Sequence, residues 1–538
     1  MTPVFQLCDA YVRQSAALDP VTAGIEGLSE PFVAGTDYGP DGIAARAELI
    51  ASTLAALEQA PVTSAQDQVA AAYLRERLEA DAARHRLGEP FRLLRAMIGP
   101  VSLIRDSVDL LPRADEDGWR NIAARIAAIP SMLASYRAGL EAGLGMGLPA
   151  ARRQALGAAT EADGFVGTHD ALVAEYGEAG PLAAELAAAA VAAYQSYAEL
   201  ARYLRVEYAP RAAETDAVGA ERYSVASRLY LGADIDLVEA YEWGWAELSR
   251  VEAEMAAEAG RVGAGLSIGE ANAILDETVY VTGSDAYRAW LQERHDQSIS
   301  RLNGNQFDIP VPLRTIEVAL AASSTAGGAY YSGPSEDLTR PGRTWWAAGG
   351  RDRFRVWREL RVVFHEGVPG HHLQIGAVLV SGDTLSRFAR TSFVSGHGEG
   401  WAMYAEQLAD ELGWFDEPGT RLGWLQGVAM RAARVVIDIG LHLDLPLPDG
   451  SRWSFEKACG VLKDRGRMDQ HRIRPEVIRY CGVPGQAPAY KLGERAWLQA
   501  RAEAMRRPGF DLKRWHAAAL ALGPIGLDGL AEALRGIE

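Results

Sequence analysis

The sequence predicts a mainly α-helical protein with one small β-sheet, and three observations carry that expectation. Alanine, leucine, arginine and glutamate mix with apolar residues at three- and four-residue spacing through most of the 538 residues. Only at about residues 303–350 does the texture change to short β-branched or aromatic runs separated by glycine and proline. No fixed-period repeat points to a solenoid.

In chain order, helical periodicity is clear over Ile43–Leu57, Ala65–Leu87, Trp119–Ala142, Leu182–Tyr208 and Leu237–Ala259. The most apolar stretch, Pro181–Tyr194, is mostly alanine and includes Glu185, so it reads as a buried helix and not as a membrane span. The runs DIPVPLRTIEVAL, AGGAYYSGPS and RTWWAA then predict two or three strands. Helical texture returns from Phe354 to about Leu443, a segment rich in glycine, proline and basic residues follows over Leu445–Lys491, and Glu494–Leu534 is helical again. The expected division is a helical amino-terminal lobe over residues 1–220 and a second lobe over 221–538 that carries the sheet beside a cleft.

Charge and cysteine content exclude several classes. With 54 basic and 71 acidic side chains the formal charge is −17, which repels a polyphosphate and argues against nucleic acid as a partner. The three cysteines, Cys8, Cys459 and Cys481, include no closely spaced pair, so neither a disulfide framework nor a thiolate metal site is expected. The first residues show no basic region followed by an apolar run, and the expectation is a cytoplasmic protein without a membrane partner.

Four of the ten histidines, His365, His371, His372 and His397, fall within 33 residues. The local sequence is LRVVFHEGVPGHHLQ. A His-Glu pair on a helix with a second histidine about a turn later is a zinc-hydrolase arrangement: two imidazoles bind the metal, while the glutamate faces its water. On a straight helix His371 lies about 120° round from His365, and His372 lies within about 20° but about 10.5 Å further along. Neither suits a straight helix. Pro369 lacks the amide hydrogen for the His365 carbonyl and drives Val368 from helical dihedrals, so the helix must bulge or break there. Either His371 or His372 then remains open as second ligand. Glu399, in GHGEGWAMYAEQL, is the candidate third ligand, with a glycine on each side to let backbone approach the ion. Three protein ligands leave one position free for water, as a catalytic zinc site requires.

The segments HEGVPGHHLQ, GHGEGWAMYAEQL, RAARVVIDIGLH and EVIRYCGVPGQAPAYKLG resemble the bacterial family DUF885, whose members look like zinc metallopeptidases. LCDAYVRQSAALDPVTAGIEG and GAERYSVASRLYLG extend the resemblance over nearly the whole chain. More distantly, the Gly-His ending is similar to that of carboxypeptidase Taq, thimet-type oligopeptidases and dipeptidyl peptidase III. The resemblance implies a large helical zincin-like, gluzincin-like fold. It also implies one Zn2+ held by His365, His371 and Glu399, with Glu366 as general base on the metal's water.

Other residues are expected to complete the chemistry. Tyr490, in a Gly- and Pro-rich stretch, is the candidate donor to the carbonyl oxygen, with Tyr480 and His397 as weaker candidates. Arg434, Asp438 and His442 share a face of an otherwise apolar helix. Asp438 is read as the acceptor that holds a ligand histidine, and Arg434 as its counter-ion or a substrate clamp. Residues 451–495 hold ten Lys or Arg against five Asp or Glu. Arg479 leads Arg474 and Lys491 there as a binder of a substrate carboxylate. Tyr330 and Tyr331 are placed near the cleft, beside a strand edge that holds extended substrate. The function expected is zinc-dependent hydrolysis of amide bonds, in short peptides with a carboxypeptidase-like preference. The alternatives are a metal-dependent amidohydrolase acting on a small acylated metabolite, or a non-catalytic metal-binding scaffold.

Overall fold

Long alanine-rich amphipathic helices pack closely because a methyl group lets helix axes approach, and this sets the architecture of the chain. The computed structural model describes residues 1–28, 34–177, 179–321, 328–335 and 338–535, which are mainly helical with two small sheets. The chain divides into two units. In the first, Met1–Val218 with Ser386–Thr391 and Cys481–Val483, the helix Glu116–Gly145 packs on Pro181–Tyr203. Ile122, Ile126, Ile129 and Leu133 form a core there with Leu186, Ala193 and Tyr197. Each fully buried large apolar side chain contributes about 1.5–3 kcal/mol. No helix among the described residues is long and apolar enough to cross a membrane.

The second unit comprises Gly219–Leu385, Ser392–Tyr480 and Pro484–Glu538. Its centre is the helix Thr420–Leu443, buried along nearly its whole length. That helix packs against Leu237–Val262 and Val356–Glu366. The helix Ser395–Glu411 crosses Ala489–Met505 where Gly400 faces Gly493, and a Cβ on Gly400 would stand 2.4 Å from the Gly493 carbonyl carbon. Only glycine permits that approach, which draws Glu399 and Tyr490 together. Trp401 and Trp497, with ring centroids 5.0 Å apart, lock the crossing from the apolar side.

The expected sheet is present. Strand Ile316–Ala321 runs parallel to the central strand Gly342–Ala347, with Ile316 opposite Gly342, and Tyr330–Ser332 pairs antiparallel on the other side, with Tyr331 opposite Thr344. Residues 322–327 and 336–337 of the predicted strand region lie outside the described residues. The Gly- and Pro-rich segment 445–491 is more helical than its composition suggests, with helices Phe455–Asp464 and Gln470–Gly482. Pro475 sits inside the latter, where burial of Ile473, Val477 and Tyr480 on one face outweighs one missing backbone hydrogen bond.

Candidate metal centre

The break at Pro369 shapes the site. The helix Val356–Glu366 ends at Glu366, and a new helix starts at His371. The Gly367 amide donates to the Val363 carbonyl at 2.9 Å and the Gly370 amide to that of Phe364 at 3.0 Å, which closes the first helix. Gly370 is so tightly placed that a Cβ would stand 2.0 Å from the His365 carbonyl oxygen. This turn folds His371 back on His365, with ring centroids 5.0 Å apart and planes 84° apart.

Glu399, in the first turn of Ser395–Glu411, faces both rings. Its Oε2 lies 3.3 Å from His365 Nε2 and 3.4 Å from His371 Nε2. Two ligand atoms about 2.1 Å from one zinc ion, at the tetrahedral angle, are about 3.4 Å apart, so these distances are those of a tetrahedron's edges. His365, His371 and Glu399 form a group whose donor atoms all lie within 4.8 Å of one another. Glu399 Oε2 and His371 Nδ1 are buried without an aligned hydrogen bond. Burial alone would raise the Glu399 carboxyl, but its contacts with His365 and His371 hold it well below the usual range. The donor set and its spacing fit a divalent ion such as zinc.

The other nitrogen of His365 reveals a residue that the sequence reading missed. Nδ1 lies 2.8 Å from Oε1 of Glu406, which has no exposed surface. A proton held on Nδ1 by a carboxylate leaves a lone pair on Nε2, facing Glu399 and the ion position. Arg431 and Arg361 flank Glu406 at 3.4 and 3.6 Å. Burial would raise Glu406, yet those two guanidiniums and His365 bring it down to about 2. Its only sequence signal is the spacing of seven from Glu399, which puts both carboxylates on one face of the helix.

Glu366 is buried at the helix end beside His365 and outside the ligand group, and burial, with Glu399 adding to it, pushes its carboxyl up to about 7. The Tyr490 ring lies nearly parallel to that of His365 at 6.4 Å, and Arg434 caps it at 4.8 Å. Tyr490 belongs to the first turn of the helix Ala489–Met505 and not to a loop. Arg434 donates to the Tyr480 hydroxyl at 3.0 Å and to Glu476 at 3.2 Å. Arg479 donates to the same Glu476 oxygen at 2.8 Å and to Gln486 at 2.6 Å. Arg479 and Tyr480 are therefore also helical, on Gln470–Gly482.

Several expected residues stand elsewhere than beside the group. His372 turns away from His365: its Nε2 is 3.0 Å from the Leu313 carbonyl and its Nδ1 2.9 Å from the Tyr331 hydroxyl. Both nitrogens are engaged and His372 stands outside the group that His365 and His371 form with Glu399, while Tyr331 supports His372 through its hydroxyl. Tyr330 is exposed and stacks on Trp345. Asp438 does not hold a ligand histidine, a position that Glu406 takes. Its Oδ2 accepts from the Tyr223 hydroxyl at 2.6 Å and the Gly485 amide at 2.8 Å, which pins the turn before the Tyr490 helix. His397, two residues before Glu399, packs its ring 5.1 Å from that of Trp497 and stays out of the ligand group. His442 Nε2 is 3.0 Å from the Tyr480 carbonyl oxygen. Lys491 is paired with Glu247 and Glu494, and Arg474 with Glu456, so neither is a free cation.

A family model described as bacterial protein of unknown function (DUF885) matches residues 20–534. The fold is similar to that of a candidate lipoprotein of Colwellia psychrerythraea, with a TM-score of 0.83 and 22% identity over 99% of each chain. It is also similar to a candidate lipoprotein of unknown function from Shewanella oneidensis, with a TM-score of 0.77 and 17% identity over 99% of this chain and 100% of the other. No curated protein sequence matches the chain.

Proposed function

Since this chain belongs to DUF885, a family of bacterial proteins of unknown function, its chemistry has to be inferred from its own side chains, and we propose that it is a zinc-dependent, zincin-like hydrolase that cleaves amide bonds, chiefly in short peptides. The observation that carries this reading is the convergence of His365 Nε2 and His371 Nε2 on Glu399 Oε2, at 3.3 and 3.4 Å. When bound there, zinc supplies an electrophile that makes water acidic near neutral pH and polarises a carbonyl.

The protein's residues do the rest. Glu366 accepts a proton from the attacking water on its carboxylate as the new C–O bond forms, then delivers it to the amine as the C–N bond breaks. The products are a carboxylic acid and an amine. Burial of Glu366 keeps bulk water from competing for that proton. The Tyr490 hydroxyl donates to the carbonyl oxygen as it gains charge, with its ring beside that of His365 and under the Arg434 guanidinium. Glu406 keeps His365 in the tautomer that presents Nε2 to the ion.

Profiling the purified protein against a peptide library and a panel of N-acyl amino acids tests the reading. Hydrolysis that is lost on chelation and restored by zinc is the expected result, and the preferred panel separates a peptidase from an amidohydrolase of small acylated metabolites. Zinc-loaded protein that cleaves no amide would contradict it and leave a metal-binding scaffold.

A further inference from the structure

Two arginines beside the centre share one ion-paired carboxylate. Glu406 lies between Arg361 and Arg431, and Glu476 lies between Arg434 and Arg479, so two carboxylates serve four guanidiniums. The neighbouring Glu359 is already surrounded by Arg351, Arg355 and Arg472 as well as Arg361. Two further buried carboxylates lie nearby, Glu494 within electrostatic reach of Glu406 and Asp438 within that of Arg479.

The two arginines that share Glu476 are not equally buried. Arg434 lies over the Tyr490 ring, which is also nearly parallel to the His365 ring. Arg479, at 15% side-chain exposure against 7% for Arg434, is the more open of the pair that shares Glu476. Its guanidinium is held by Glu476 and Gln486, which pre-orients a planar donor for a second carboxylate. From the His365 ring to the Arg434 guanidinium the path through Tyr490 is 6.4 Å and then 4.8 Å. That span, no more than about 11 Å, is the reach of about three extended residues.

We propose that Arg479 and Arg434, beside Tyr490 and the group of His365, His371 and Glu399, form a subsite for the free carboxylate of the substrate, so that the chain acts on peptides or acyl amino acids cut within about three residues of a carboxylate end. The position of the cut rests on the hydrolase reading; the carboxylate subsite itself does not.

Calorimetry on chelator-treated protein, with N-acetyl-L-phenylalanine and its carboxamide as probes, tests the subsite without any turnover. The carboxylate should bind at least about tenfold more tightly than the amide, and Arg479→Gln should remove that difference. Equal binding of the two probes by the unaltered protein would overturn the proposal, whatever the variant does. On the zinc-loaded protein, a peptide and its C-terminal amide should differ mainly in KM. A carboxylate preference in protein that proves unable to bind zinc would support the subsite while removing the hydrolase reading, so the two failures are distinguishable.

Discussion

Replacing Glu366 with Gln lowers turnover by about 10²–10⁴-fold and leaves zinc content unchanged. Glu366 stands at the last position of its helix, beside His365 yet outside the ligand group, so the amide fills the same volume without disturbing the ion. It cannot take up the proton that water loses as it adds to the carbonyl. Burial of this residue, at 7% exposure, leaves no route for bulk solvent to substitute as base. Zinc content by elemental analysis, set beside kcat on the best substrate, separates a catalytic defect from metal loss. Residual activity within a few-fold of the unaltered protein would remove Glu366 from the mechanism.

The second large effect is expected at Glu406. Glu406→Gln weakens zinc affinity by about 10–100-fold, because His365 loses the acceptor that holds its proton on Nδ1. The same change leaves Arg361 and Arg431 without their shared carboxylate, and unfolding in urea should show a loss of about 3–5 kcal/mol. The readouts discriminate between roles. A residue that merely neutralised two arginines would lower stability and leave the zinc Kd of the folded fraction unaltered.

These effects mark the limits of what the sequence makes legible. The break between Glu366 and His371 is legible because proline chemistry is local: Pro369 has no amide hydrogen to give, and Gly370 fits where a Cβ would strike the His365 carbonyl. The buried character of Thr420–Leu443 is likewise written in its run of valine and isoleucine. What His365 Nδ1 faces is another matter. Its partner Glu406 lies 41 residues on, and its arrival depends on the packing of the helix Ser395–Glu411 against Val356–Glu366. Asp438 has the right chemistry for that role, and only the packing shows that Tyr223 and Gly485 occupy it. The same holds for Tyr490 and Arg479. Glycine and proline around them suggest loops, whereas burial of neighbouring side chains continues the helices.

The central claim, that one divalent ion sits among His365, His371 and Glu399, is tested most directly by anomalous diffraction at the zinc edge from crystals grown with zinc. One peak is predicted per chain, about 2.0–2.2 Å from His365 Nε2, His371 Nε2 and a carboxylate oxygen of Glu399. A peak elsewhere, or none at that point with zinc present, would contradict the ligand set and the hydrolase built on it.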